Sequence, residues 1–364
     1  MGEPASILLV RLRQIGDVVF TTPAVHALRR RFPDAVITYL VEPAGAPIVA
    51  GNPHLTEVLV APRRSGIGGL IADLRLGRQL RARRFDLAID FHGGPRASLL
   101  TWLSGAPVRI GYEVAGRSWM YTQRVARSRA LLPRHSVVNQ WDLVAALDIA
   151  APDPSATPTE MRLDHAAAAA VTARLARAGV STDERIVVIH VSAGNPFRRW
   201  PFEHFVDLIA ALVADDSSRR IIVTSGPSEE AAAARVIAAA RDRVGAEAAT
   251  RVVSCGEFSL TELRALLDRA SLYIGGDSGP LHMASASDVP IVGLFGPTLA
   301  ERSAPWRPPE VPSVSVDAGP LPCRPCDQRV CAPGDFRCLT TLAASAVVNA
   351  AERMLAARTG EPAR

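Results

Sequence analysis

Two segments of this chain hold residues suited to gripping a diphosphate: Arg198-Arg199-Trp200-Pro201 and Gly275-Gly276-Asp277-Ser278-Gly279-Pro280-Leu281-His282. An arginine fork offers a phosphate two parallel hydrogen bonds. A glycine-containing turn entering a helix offers free N–H groups to the same oxygens. Within the first segment Arg198 is assigned to the ligand and Arg199 to solvent. Ser192, followed by Ala193 and Gly194, lets a ligand approach the backbone. In the second, Ser278 donates to an oxygen and Gly279 opens the turn. Asp277 suits a helix cap or a sugar hydroxyl. His282 lies four residues after Ser278 on the same helix face, where it would orient the loop or touch phosphate. Far upstream, Ile15-Gly16-Asp17 follows the first strand. Asp17 has two readings there: an ordinary helix cap, or a carboxylate that takes the proton of an attacking hydroxyl. A helix N-terminus keeps it ionised. Arg13, His92 and Arg96, in the same half, are the candidate contacts for a second substrate.

These residues need elements to hold them, and the hydrophobic pattern supplies two series. Ile7–Val10, Val36–Val41, Glu57–Val60, Asp86–Phe91 and Val108–Tyr112 read as strands of one sheet. A helix starting at Asp17 carries Val18, Thr21, Val25, Leu28 and Phe32 at helical spacing. After a Pro-, Asp- and Ser-containing stretch at Ala150–Pro158 the alternation resumes. Its strands are Arg185–Val191, Arg220–Thr224, Ser271–Ile274 and Val289–Phe295. Strands separated by helices predict two parallel, doubly wound α/β halves, residues 1–155 and 156–364. The site belongs at the carboxyl ends of the strands.

Composition narrows the function. All 41 basic residues are Arg, which rules out a lysine nucleophile or Schiff base. Residues 1–134 hold nineteen Arg against nine acids, a surplus of ten, while the whole chain is only +5. Such a field attracts an acidic partner. No nucleic-acid-binding module accompanies it and aromatics are sparse, so an anionic lipid or glycolipid is preferred to nucleic acid. No leader or membrane span is expected, which places the protein in the cytoplasm. Cys323, Cys326, Cys331 and Cys338 crowd one loop near the C-terminus. A structural zinc is one reading of them, and a reduced or partly disulfide-linked loop the other. Their uneven spacing does not favour zinc. Arg11-Leu12-Arg13-Gln14-Ile15-Gly16-Asp17 lacks the glycine fingerprint of dinucleotide enzymes, which argues against NAD.

Taken in order, Arg11–Val19 with Thr22-Pro23, Phe197–Pro201, Gly276–His282, Phe295-Gly296-Pro297-Thr298 and the four-cysteine loop resemble the bacterial lipopolysaccharide heptosyltransferases, the ADP-heptose glycosyltransferases of family 9. The resemblance covers nearly the whole chain. It implies a GT-B fold, two Rossmann-like domains facing across a cleft, with the nucleotide sugar on the C-terminal domain. A phosphorylated, lipid-linked saccharide acceptor would sit on the N-terminal domain. It further implies inverting transfer with Asp17 as catalytic base and no required cofactor. Ser192, Arg198, Asp277, Ser278, Gly279 and His282 would face the donor, and Arg13, His92 and Arg96 the acceptor. Arg198 stands where the family has a phosphate-binding lysine. Transient contact with the inner face of the cytoplasmic membrane follows from the lipid-linked acceptor.

Overall fold

A computed structural model describes residues 3–126, 134–191 and 195–359. The chain divides into two compact units, Met1–Arg162 and Leu163–Arg364. The first contains β1 (Ser6–Val10), β2 (Val36–Val41), β3 (Glu57–Val60), β4 (Leu87–Asp90), β5 (Val108–Tyr112) and β6 (Gln123–Val125). The second contains β7 (Arg185–His190), β8 (Arg219–Thr224), β9 (Val252–Val253), β10 (Leu272–Gly276), β11 (Ile291–Phe295) and β12 (Ser313–Asp317).

Each set forms one six-stranded sheet, ordered β3-β2-β1-β4-β5-β6 and β12-β11-β10-β7-β8-β9. Every adjacent pair is parallel. Helices cover both faces of a parallel sheet, so its central strands are aliphatic throughout rather than alternating. Ile7 to Val10 and Ile186 to Ile189 are accordingly without solvent exposure. Both units therefore have Rossmann-like topology, the two-sheet GT-B type predicted above. In each, strand order reverses once: between β1 and β4, and between β7 and β10. Loops leaving the carboxyl ends of those strands diverge and leave room for a ligand. Asp17, His92, Arg198 and Ser278 lie in or beside those loops, whereas the four-cysteine loop follows β12.

Three strands escaped the sequence reading. β6 and β9 are three and two residues long, too short for a periodic signal. β12, SVSVD, is an edge strand with exposed and half-buried residues alternating, unlike the continuous runs elsewhere. The helix expected to start at Asp17 is two helices, Ile15–Val19 and Thr22–Arg31, and Asp17 is the third residue of the first. Pro23 has no N–H to continue a helix and suits the start of a new one. The hydroxyls of Thr21 and Thr22 donate to the carbonyls of Val18 and Val19 at 2.6 and 2.7 Å, helping to satisfy the carbonyls where the first helix ends.

Residues up to Arg162 are tied to the first unit by polar contacts. The Glu160 amide donates to Thr22 Oγ1 at 2.9 Å. Its carboxylate lies 3.0 Å from His26 Nδ1 and 3.3 Å from His54 Nε2. The two imidazoles stack at 4.0 Å with 14° between planes, and one nitrogen of each lies with the Glu160 carboxylate within 4.8 Å. Burial lowers the pKa of both rings, and the charges of Arg30 and Arg29 add to this at His26 and His54 respectively. The cluster is a clamp on the chain leaving the first sheet.

Candidate active site

In the first unit, Arg11 ends the β1 segment and Asp17 lies one short turn later. The Arg11 guanidinium forms an ion pair with Asp17 Oδ2 and donates to the Phe91 carbonyl at 2.5 Å. Arg11 thereby links the loops after β1 and β4. Asp17 also accepts from the Gln14 amide at 3.4 Å, so the capping role foreseen for it is real. It does not consume the carboxylate: the side chain keeps 40 % of its surface exposed, against 11 % for Arg11. A carboxylate fixed from below by a buried cation and open above can accept a proton from a ligand.

The loop after β4 is shaped by Asp90, fully buried at the strand end. Its Oδ1 accepts from the amides of His92 and Gly93 at 2.8 and 2.9 Å, and Oδ2 from the Tyr121 hydroxyl at 2.6 Å. Burial raises the Asp90 pKa, and the bonds from Tyr121, Gly93 and His92 oppose that rise. His92 is half-buried at the head of this turn, and Arg13 is exposed. Arg96 differs from the expectation. All three of its guanidinium nitrogens are engaged, with Asp73 at 2.9 Å, Glu42 at 2.7 Å and the carbonyls of Ala61 and Pro62. Arg96 is a brace under the loop, held there because two acids and two carbonyls converge on one planar fork.

In the second unit, the loops after β7 and β10 meet. A Cβ on Gly276 would stand 3.3 Å from the Arg198 carbonyl, so glycine is what lets the two backbones touch. Trp200 is buried and its Nε1 donates to the Leu342 carbonyl at 2.9 Å, which anchors the segment behind Arg198. Arg198 Nη1 lies 3.0 Å from Asp277 Oδ2 and donates to the Asp277 carbonyl at 3.0 Å. Asp277 is 3 % exposed, with Oδ1 3.4 Å from His282 Nε2 and accepting from Ser303 Oγ at 3.0 Å. Burial alone would raise its pKa. The hydrogen bond and charge of His282, with Arg198 and Thr298 behind them, bring it down to about 2. Asp277 therefore points inward and sets the positions of Arg198 and His282, and is not the direct sugar or helix-cap contact that its neighbours in sequence suggest. Arg199, expected in solvent, pairs with Glu229 at 2.8 Å while remaining 46 % exposed.

Ser278 is the cap residue of the Gly279–Ala284 helix, in extended conformation, yet its side chain makes no capping bond. Its Oγ is buried and has no hydrogen-bond partner among the described residues. A buried hydroxyl left unpaired in this way costs free energy unless a ligand completes it. Ser192 lies outside the described residues.

The model of glycosyltransferase family 9 (heptosyltransferase) matches residues 73–333. The chain belongs to glycosyltransferase family 9. It is 27 % identical over 351 residues to lipopolysaccharide heptosyltransferase 3 of Escherichia coli, covering 96 % of this chain and 98 % of that one. Two solved structures share its fold. A family 9 glycosyl transferase from Veillonella parvula has a TM-score of 0.84 at 21 % identity, covering 96 % and 97 % of the two chains. The ADP-heptose lps heptosyltransferase II of E. coli has a TM-score of 0.77 at 17 % identity, covering 97 % and 99 %.

In this family 9 glycosyltransferase the fold draws one further residue, not signalled by the sequence, to the candidate residue Arg198. Gln328, inside the four-cysteine loop, accepts through Oε1 from Arg198 Nε at 2.7 Å and Asn195 Nδ2 at 2.8 Å. Its Nε2 donates to Thr298 Oγ1 at 3.2 Å. Nothing in a lone glutamine between cysteines signals this; only the folded loop brings it to Arg198. The four cysteines line a cavity of about 110 Å³ with Phe197 and Pro297, and Phe336 N–H donates to Cys331 Sγ at 3.4 Å. All are free thiols, and burial raises the pKa of Cys338. Among the described residues their sulfurs are not gathered within 4.8 Å as a tetrahedral zinc set would be. The loop's visible task is to hold Gln328 against Arg198. Gln328→Ala should loosen Arg198, and the ADP affinity proposed below should fall about fivefold, the worth of one hydrogen bond. Titration calorimetry reads this directly, and unchanged affinity would separate the loop from the nucleotide.

Proposed function

We propose that this glycosyltransferase moves a heptose from ADP-heptose to an acidic, lipid-linked saccharide of the lipopolysaccharide core, with inversion at the sugar carbon. The observation that carries this reading is the unpaired buried hydroxyl of Ser278 beside Arg198. Ser278 Oγ has no partner among the described residues, and Arg198, though held by Asp277 and Gln328, keeps 30 % of its side chain exposed at the strand-order reversal of the second sheet. Arg198, Ser278 and the backbone at Gly279 would stabilise the departing diphosphate. His282 acts through Asp277. Asp17 would take the proton of the acceptor hydroxyl as its oxygen attacks the sugar carbon and the bond to the diphosphate breaks. Each step uses groups of the chain itself, and no cofactor is invoked. Arg13 and His92 would meet the acceptor, aided by the arginine surplus of the first 134 residues. The names of the relatives support both the ADP-heptose donor and the lipopolysaccharide acceptor.

Among the described residues no helix is long and apolar enough to cross a membrane. The lipid-linked acceptor named for the relatives points to the cytoplasmic face of the inner membrane as the place of encounter. The donor assignment has a direct test. ADP-, GDP- and UDP-sugars are compared for protection against thermal unfolding and for slow hydrolysis. ADP-heptose should raise the midpoint by several degrees, and the others little, since linkage gives about 2.7 kcal/mol at a hundredfold excess over Kd. Protection by a GDP- or UDP-sugar without any from ADP-heptose would reassign the enzyme to another envelope glycan. Arg198 in the lysine position makes this comparison worth doing first.

A further inference from the structure

The Gly66–Ala82 helix has two apolar faces where a surface helix of a globular protein has one. Gly69, Gly77 and Leu80 are buried, and Leu76 packs on the first unit's core. Beside this buried strip, with Gly77 at the border, Ile67, Leu70, Ile71 and Leu74 follow the i, i+3, i+4, i+7 pattern and are 80, 54, 44 and 42 % exposed. Single exposed aliphatics are ordinary, but four in one stripe are not. The same face turns basic toward its C-terminal end: Arg78 and Arg81 follow Leu74 by four and seven residues, with Arg75 alongside. Arg63 and Arg64 precede the helix, and all five are exposed. Among the described residues none of the five forms an ion pair. The helix's one acid, Asp73, is bound to Arg96 at 2.9 Å.

We infer that this helix is a docking surface for an anionic lipid bilayer. The four aliphatic side chains would enter the boundary between headgroups and acyl chains while the guanidinium groups meet lipid phosphates. The charge pattern selects this occupant. Two copies of the same face would bring arginines against arginines, whereas anionic lipid pairs with each of them. The next helix, Pro95–Leu103, packs by Leu103 against Gly77 and exposes Trp102, in edge contact with Trp119 at 5.4 Å. Indoles of this kind suit a membrane interface. The purpose of the contact rests on the membrane-borne acceptor proposed above, but the binding does not.

The test is sedimentation with phosphatidylcholine vesicles and with vesicles containing phosphatidylglycerol, at low and high salt. It uses the wild-type chain, a Leu70→Ser/Ile71→Ser variant and an Arg75→Gln/Arg78→Gln variant. Wild-type protein should partition to the anionic vesicles. The serine variant should lose roughly tenfold or more in partition, and the glutamine variant should lose the salt-sensitive part. Hydrogen exchange of the Gly66–Ala82 amides should slow when anionic vesicles are added. All three proteins should melt together and bind ADP equally. Equal partition of wild type and variants overturns the inference. So does absent protection, or a wild-type dimer that the serine variant dissociates. Vesicle binding without heptosyl transfer would leave the docking helix standing and remove the proposed reaction instead.

Discussion

Asp17→Asn should lower kcat by about 10²- to 10⁴-fold, the usual worth of a general base, while leaving ADP affinity and the melting temperature close to wild type. The amide keeps the shape of the carboxylate and an oxygen for the Arg11 guanidinium, so the link between the loops after β1 and β4 survives. What is lost is the ability to accept a proton. Turnover of the purified variant with ADP-heptose and a solubilised acceptor decides the matter. A rate within a few-fold of wild type would leave Asp17 as a helix cap and nothing more.

Asp277→Ala should act on the second unit in two ways at once. Arg198 and His282 lose the carboxylate that holds both. Breaking a buried ion pair costs about 3–5 kcal/mol, and roughly 2–4 kcal/mol is expected here because Arg198 keeps 30 % of its side chain in contact with solvent. ADP binding should fall with it. The wild-type contribution also has a pH signature. The Asp277 pKa is about 2 when folded, against an ordinary 3.8. As pH falls, the unfolded chain takes the proton first, so the stabilisation is complete above pH ~4 and is lost as pH falls through about 2. The shift corresponds to about 2 kcal/mol. Melting curves of wild type and variant should therefore differ most near neutrality and converge in acid. A constant difference across pH 2 to 6, or unchanged melting and ADP affinity at pH 7, would show that Asp277 does not organise the site.

Much of this molecule is local, and local information is legible in a sequence. Continuous aliphatic runs such as Ile7–Val10 and Ile186–Ile189 identify strands buried on both faces. Helices between them require parallel sheets. The turns at the carboxyl ends of those strands are then the candidate ligand-facing ones, and they carry Asp17, Arg198 and Ser278. Edge strands β6, β9 and β12 were not legible, because two or three residues, or an alternating exposed pair of faces, carry too little pattern. The direction in which a side chain points was not legible either. Arg96 and Arg198 are the same residue type beside similar loops, yet one is surrounded by Asp73, Glu42 and two carbonyls while the other keeps part of its fork open. Asp277 has the neighbours of a ligand contact but is turned to the interior by His282 and Ser303. Gln328 reaches Arg198 across 130 residues of chain. A hydrogen bond depends on angle and distance between groups brought together by the whole fold, and no spacing along the chain encodes that. The sequence by itself determined two parallel α/β units and pointed to the loops at the carboxyl ends of their strands as the candidate site. The tertiary structure decided which side chains of those loops stay exposed and which are held by protein partners.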